Sequence, residues 1–171
     1  MVNGILKYLA KNNDNDNIAS FSSTTNIIAT DIQEREQVTP WIIKAGKEFD
    51  FLSDNYPYTE NIDYIIMNPP FSVIEPFSAK ALSIAKKGVL MFGRLQFLEG
   101  EKRYKLITEK YPPNDFWVYV DRIGCYKNGH VNEKLSSTQA YAWFFWNCSA
   151  PAIETKCHWI RRVDKIDNSK G

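Results

Sequence analysis

Apolar positions along the 171 residues fall into short runs separated by polar breaks, and their spacing switches between helical and extended periods. Ile5, Leu6, Leu9 and Ala10 recur at helical spacing, and the polar stretch 11–17 ends that helix in a loop. Residues 26–30 form a short apolar run closed by Asp31, the pattern of a buried strand. Thr39-Pro40 reads as a helix start running through Trp41 to Ala45, with Gly46 as its stop. A further short strand is expected over 49–52, and another over 64–67, a continuous apolar run suited to a parallel strand covered on both faces. Ile74, Phe77, Ala81, Ile84 and Ala85 then recur at helical spacing up to Gly88, followed by a buried strand over 89–92. A helix is expected over 99–110, ended by Pro112-Pro113, and two aromatic-rich strands over 116–120 and 140–146. Alternating strands and helices, closed by two strands with only a loop between them, predict an α/β fold. Its sheet would be mostly parallel, with a C-terminal antiparallel hairpin. Residues 1–163 read as one domain and 164–171 as a polar tail.

Composition narrows this picture in three ways. The apolar fraction of 44% marks a chain that builds a core. The 21 Lys and Arg residues nearly balance the 20 Asp and Glu, so any nucleic-acid contact must come from local patches rather than a global field. Cys125, Cys148 and Cys157 are an odd, scattered set without a C-x-x-C pair, which fits reduced thiols in a cytoplasmic protein. Cys157-His158 lacks the four-ligand spacing of zinc, and no metal is expected. No signal pattern or membrane-length apolar run is visible, and the aromatic cluster 143–146 reads as strand core.

The sharpest feature is Asn68-Pro69-Pro70-Phe71, directly after the apolar run 64–67. A tetrapeptide of this type arises by chance in roughly one chain in a hundred of this length. It sits at a strand's carboxyl end, where open α/β sheets bind ligands. Its residue types suit one chemistry. An amine on an aromatic ring is a poor nucleophile because its lone pair is delocalised. Two acceptors, the Asn68 side-chain oxygen and the Pro69 carbonyl, would bind its N–H groups and point that lone pair at a methyl donor. The prolines fix the backbone beforehand. Phe71 would stack on a base taken out of its duplex.

These four residues resemble the catalytic D/N/S-P-P-Y/F motif of S-adenosylmethionine-dependent amino-methyltransferases, above all the phage-type DNA N6-adenine methyltransferases. The resemblance implies a Rossmann-like class I methyltransferase sheet. It also implies methyl transfer to N6 of adenine in duplex DNA, with the target adenine flipped. Asn68, Pro69, Pro70 and Phe71 would be the catalytic set. In the family an acidic residue ending the second strand holds the cofactor ribose, and Asp31 matches it, with Ile32 against the cofactor adenine. Asp50-Phe51 matches a third segment lining that adenine, and the order Asp31, Asp50, Asn68 is the family's order. The stretch 94–103 is also similar to phage-type members.

The family opens with a central strand and a Gly-x-Gly turn. Asn3-Gly4 resemble only the last two positions of that turn. The expectation is therefore an N-terminally truncated methyltransferase lacking the middle strand. A partner chain, or the region 18–22, would fill the vacancy. Candidate nucleic-acid contacts are Arg94, Arg103, Arg122 and Lys127; the last three lie in two basic segments, Lys102, Arg103 and Lys105, and Arg122, Lys127, His130 and Lys134. Two alternatives stand beside this reading: a non-catalytic remnant acting as an interaction module, and a methyltransferase for protein glutamine or RNA.

Overall fold

The computed structural model describes residues 27–33, 43–105, 109–123 and 139–161. The expected helix at 5–10, the loop at 11–17, Asn3, Gly4, the 18–22 region, Thr39-Pro40, Cys125, Lys127, His130, Lys134 and the 164–171 tail lie outside them. The chain divides into two compact units, Met1–Pro57 and Tyr58–Gly171.

In the first unit, β1 (Ala29–Asp31) pairs in parallel with β2 (Ile43–Ala45), Asp31 opposite Ala45. The helix expected through residues 41–45 is corrected: 43–45 are extended. So short an apolar segment cannot fix a period, and pairing with β1 decides the conformation. The strand expected over 49–52 is also corrected. Lys47–Phe49 form a 3-10 turn, and the Asp50 carboxylate accepts the backbone N–H of Leu52 at 3.0 Å. Such a side-chain-to-backbone bond turns the chain and competes with a strand.

The second unit is built on a five-stranded sheet in the order β3-β4-β6-β5-β7. These strands are β3 (Ile62–Met67), β4 (Ala85–Arg94), β5 (Asp115–Tyr119), β6 (Tyr141–Asn147) and β7 (Lys156–Ile160). β3–β4 and β5–β7 are parallel, whereas β4–β6 and β5–β6 are antiparallel. The sheet is mixed rather than mostly parallel. The expected β5–β6 antiparallel pair is present, but β7 adds a parallel strand on its far side. Among the described residues β3 pairs only with β4, and the expected burial of both its faces is corrected: Tyr64 is 59% and Ile66 38% exposed.

The connection from β3 to β4 is the helix α1 (Ile74–Ile84). Ile74, Ser78 and Ala81 are its buried positions, the i, i+4, i+7 stripe of a helix lying on a sheet. The buried Ser78 hydroxyl donates to the Ile74 carbonyl at 2.7 Å and lies 3.2 Å from the Met91 sulfur, so it is not stranded in the core. Val89 and Met91 of β4 are fully buried, and Gly93 lies on the same face. Opposite them in register are Trp146, Phe144 and Ala142 of β6. Phe97, from a 3-10 turn after β4, closes this core with its ring 5.2 Å from that of Phe144. Within the helix expected over 99–110, α2 (Glu101–Arg103) starts after Gly100 at φ +100°, and 104–105 continue it with wider, π-type turns. Residues 106–108 lie outside the described set.

Two close approaches fix the sheet. Asn114 accepts the Asn147 N–H at 2.7 Å and donates its side-chain amide to the Ala150 carbonyl at 2.9 Å. Its backbone carbonyl takes the Lys156 N–H at 2.9 Å, so one residue ties the ends of β5, β6 and β7 together. At Gly88, a Cβ would stand 3.0 Å from the Trp146 carbonyl oxygen and 3.0 Å from the Phe145 ring. A backbone oxygen cannot swing aside, so Gly88→Ala is expected to lower stability by about 1–3 kcal/mol, read from denaturant midpoints. At Gly93 the nearest atom is the flexible Ile74 Cδ1, 3.1 Å away, so the same change there is expected to cost less.

The two described cysteines differ in environment. Cys157 on β7 is exposed, whereas burial pushes the Cys148 thiol up from its ordinary range. In a Cys125→Ser background at neutral pH, a thiolate-directed reagent is expected to label Cys157 before Cys148, with mass spectrometry of the digested protein as the check.

Candidate functional site

β3 ends at Met67, and Asn68-Pro69-Pro70-Phe71 follows without a gap before the turn into α1. Pro69 is buried, while Asn68 and Pro70 are exposed. Burial of Pro69 anchors the peptide, and its ring removes a backbone donor that the site would otherwise have to satisfy. Pro70 is extended, at φ −58° and ψ 135°, and its carbonyl accepts the Val73 N–H at 3.1 Å to start the 3-10 turn Phe71–Val73. The Pro69 carbonyl takes no N–H from the described backbone, and the Asn68 side chain makes no hydrogen bond among the described residues. Among the described residues the strand end therefore carries two acceptors without a partner, on a backbone held by two prolines.

Phe71 is half-buried and folds onto the exit of the central strands. Its ring lies 5.9 Å from that of Tyr141, tilted by 39°, and the Arg94 guanidinium carbon sits 4.3 Å from its centroid. A cation over an aromatic face at this distance contributes about 0.5–2 kcal/mol, more as water is excluded. Arg94 is the last residue of β4 and stands opposite Tyr141 in register, so the sheet itself carries it to Phe71. Behind Tyr141, Phe92 stacks at 5.4 Å and 9°, with Trp143 and Tyr119 packed on Phe92. The Trp143 indole N–H donates to the Tyr119 hydroxyl at 3.1 Å. This aromatic wall gives the tetrapeptide a stiff backing. Beyond Tyr141 a shallow cleft of about 90 Å³ is lined by Tyr119, Arg122, Gln139 and Tyr141. That is well below the roughly 300–1,000 Å³ of small-molecule pockets.

The other anticipated basic contacts divide. Arg103 donates its Nε–H to the Glu99 carbonyl and faces the Glu75 carboxylate of α1 at 3.4 Å, so its charge is already engaged within the protein. Arg122 is exposed at the cleft. Lys127 lies outside the described residues.

The anticipated cofactor residues belong to the first unit. Asp31 closes β1, its carboxylate accepts the Gln33 N–H at 3.0 Å, and Ile32 beside it is 49% exposed. Phe51 meets Tyr56 edge-on at 5.2 Å, and the Tyr56 hydroxyl is 3.0 Å from Thr30 Oγ1. Tyr56 thus ties the Asp50-Phe51 turn to β1 at Thr30. Sequence reasoning did not find Tyr56, because no motif or period marks it. Each of the two carboxylates accepts the N–H of the residue two positions on, and each has an apolar residue next to it in the chain.

His158 was set aside as a metal ligand, and it bonds elsewhere. Its Nε2 is 2.7 Å from Asp115 Oδ1, and its ring stacks on Trp117 at 5.2 Å, joining β7 to β5. No group of metal-binding side chains occurs among the described residues, and no described helix is long and apolar enough to cross a membrane.

No protein-family model and no curated protein matches the sequence. Among solved structures, the crystal structure of the M1.HpyAVI–SAM complex is similar, with 15% sequence identity and a TM-score of 0.39. The match covers 72% of this chain and 57% of that chain, so the protein spans little more than half the other's length.

Proposed function

We propose that the protein transfers a methyl group from S-adenosylmethionine to an exocyclic amine, N6 of adenine in DNA. The observation that carries this reading is the exposed Asn68 amide beside the Pro69 carbonyl, two acceptors without described partners on a proline-held strand end. Asn68 Oδ1 and the Pro69 oxygen accept the two N–H groups of the substrate amine and draw its nitrogen toward a tetrahedral shape. The lone pair then leaves the ring's delocalised system and points outward. Phe71 packs against the base, and the Tyr141–Phe92–Trp143 wall keeps it from yielding. Bound S-adenosylmethionine supplies a methyl carbon activated by its sulfonium. Asn68 and the Pro69 carbonyl would aim the nitrogen at that carbon for in-line transfer, sulfur keeping the bonding pair and solvent taking the extra N–H proton. Catalysis on this account is positioning plus aimed dipoles.

Asp31 would hold the cofactor ribose hydroxyls, and Ile32, Asp50 and Phe51 its adenine. Asn3-Gly4 would approach its methionine end. Arg94, Arg103, Arg122 and Lys127 are the proposed DNA contacts, and a partner chain would supply target recognition.

Calorimetric titration with S-adenosylmethionine tests the cofactor assignment. Wild type is expected to bind in the micromolar range, and Asp31→Ala to weaken binding by roughly 10–100-fold, as for a lost charge-assisted hydrogen bond. Binding unaffected by Asp31→Ala, or no binding by wild type, contradicts it.

A further inference from the structure

Arg94 rests on the ring that the proposed function gives to a flipped base. Its guanidinium carbon is 4.3 Å from the Phe71 centroid, and its Nε is buried with no hydrogen-bond partner among the described residues. A buried donor left unpaired is unfavourable, so this resting stack is one the side chain leaves readily once an acceptor arrives. The contrast with Arg103, engaged by Glu99 and Glu75, is direct. No carboxylate is paired with Arg94 among the described ion pairs.

Resting on the proposed methyl transfer to adenine, we infer that Arg94 is a placeholder on Phe71 that exchanges with substrate. The incoming base takes the ring face, and the guanidinium moves to the phosphate of the same nucleotide, where its Nε–Nη edge binds two oxygens. The exchange couples base seating to backbone capture. One ring face cannot hold both groups, and the released cation is a few ångströms from the nucleotide that displaced it. Guanidinium geometry suits both states, because it is flat enough to stack and forked enough to bind phosphate.

The test uses the full chain and a short DNA duplex containing one unpaired adenine, which lowers the cost of flipping. Binding is measured across a salt series for wild type, Arg94→Met and Arg94→Lys, with thermal unfolding confirming that each is folded. Methionine keeps apolar cover on Phe71 and removes the charge. It is expected to reduce the slope of log affinity against log salt by about 0.9, the loss of one phosphate contact, and to raise KM for DNA more than it lowers kcat. Lysine is expected to keep the wild-type slope. An unchanged slope in Arg94→Met overturns the inference, as does a lysine variant that falls as far as methionine. If wild type binds and methylates DNA while Arg94→Met matches it, the inference alone fails; if wild type does neither, the underlying methyl-transfer reading fails with it.

Discussion

Asn68→Ala is expected to lower kcat for methyl transfer by about 10²–10³-fold, the usual loss when one preorganised polar group at the reacting centre is removed. The loss should fall on kcat rather than KM, because the amide is proposed to bind the amine more tightly as its nitrogen becomes tetrahedral. Stability should be almost untouched. Asn68 is exposed and makes no hydrogen bond among the described residues, so its truncation should shift unfolding by no more than about 0.5 kcal/mol. Single-turnover transfer with saturating cofactor, alongside denaturant unfolding, separates the two effects. Unchanged turnover would remove Asn68 from the chemistry.

Phe144→Ala is expected to have the largest effect on folding, about 3–5 kcal/mol. Phe144 is fully buried at the centre of β6, with the Phe97, Phe116 and Trp146 rings 5.2, 6.0 and 6.3 Å away. Truncation leaves a cavity that rigid aromatic neighbours fill poorly. Against a typical total of roughly 5–15 kcal/mol, that loss brings the folded state close to its limit. Trp159, 71% exposed on β7, is the matched control: Trp159→Ala should move the midpoint by no more than about 0.5 kcal/mol. Equal losses at the two positions would contradict the placement of the core on the face that β4 and β6 share.

The contrast between these residues explains what was legible in the sequence. Apolar spacing announced α1 through Ile74 and Ala81, β4 through Val89 and Met91, and β6 through Phe144 and Trp146, but it carried the helix on through Ala85 to Gly88, which belong to β4. β7 went unread because Lys156, Cys157 and His158 look polar. What holds that strand is backbone pairing with β5, the Asn114 carbonyl and the His158–Asp115 bond, none of which leaves a hydrophobic period. β2 was mistaken for a helix because a plausible cap preceded too few residues to define a period, and only its pairing with β1 made it extended. The Asp50 segment turned instead of extending for a local reason, the bond from its carboxylate to the Leu52 N–H. At the candidate site, Asn68 to Phe71 stood out because its chemistry lies in four consecutive residues. The Arg94–Phe71 stack and the Tyr56–Thr30 hydrogen bond join residues far apart in sequence, and only the folded chain brings them together.

The central claim is tested most directly by incubating the protein with methyl-labelled S-adenosylmethionine and DNA, RNA or protein in separate reactions. After digestion the label should appear in DNA as N6-methyladenine, and Asn68→Ala should remove it. Label recovered only in RNA or protein would contradict the DNA assignment. No transfer to any of the three by a folded, cofactor-binding chain would contradict methyl transfer itself.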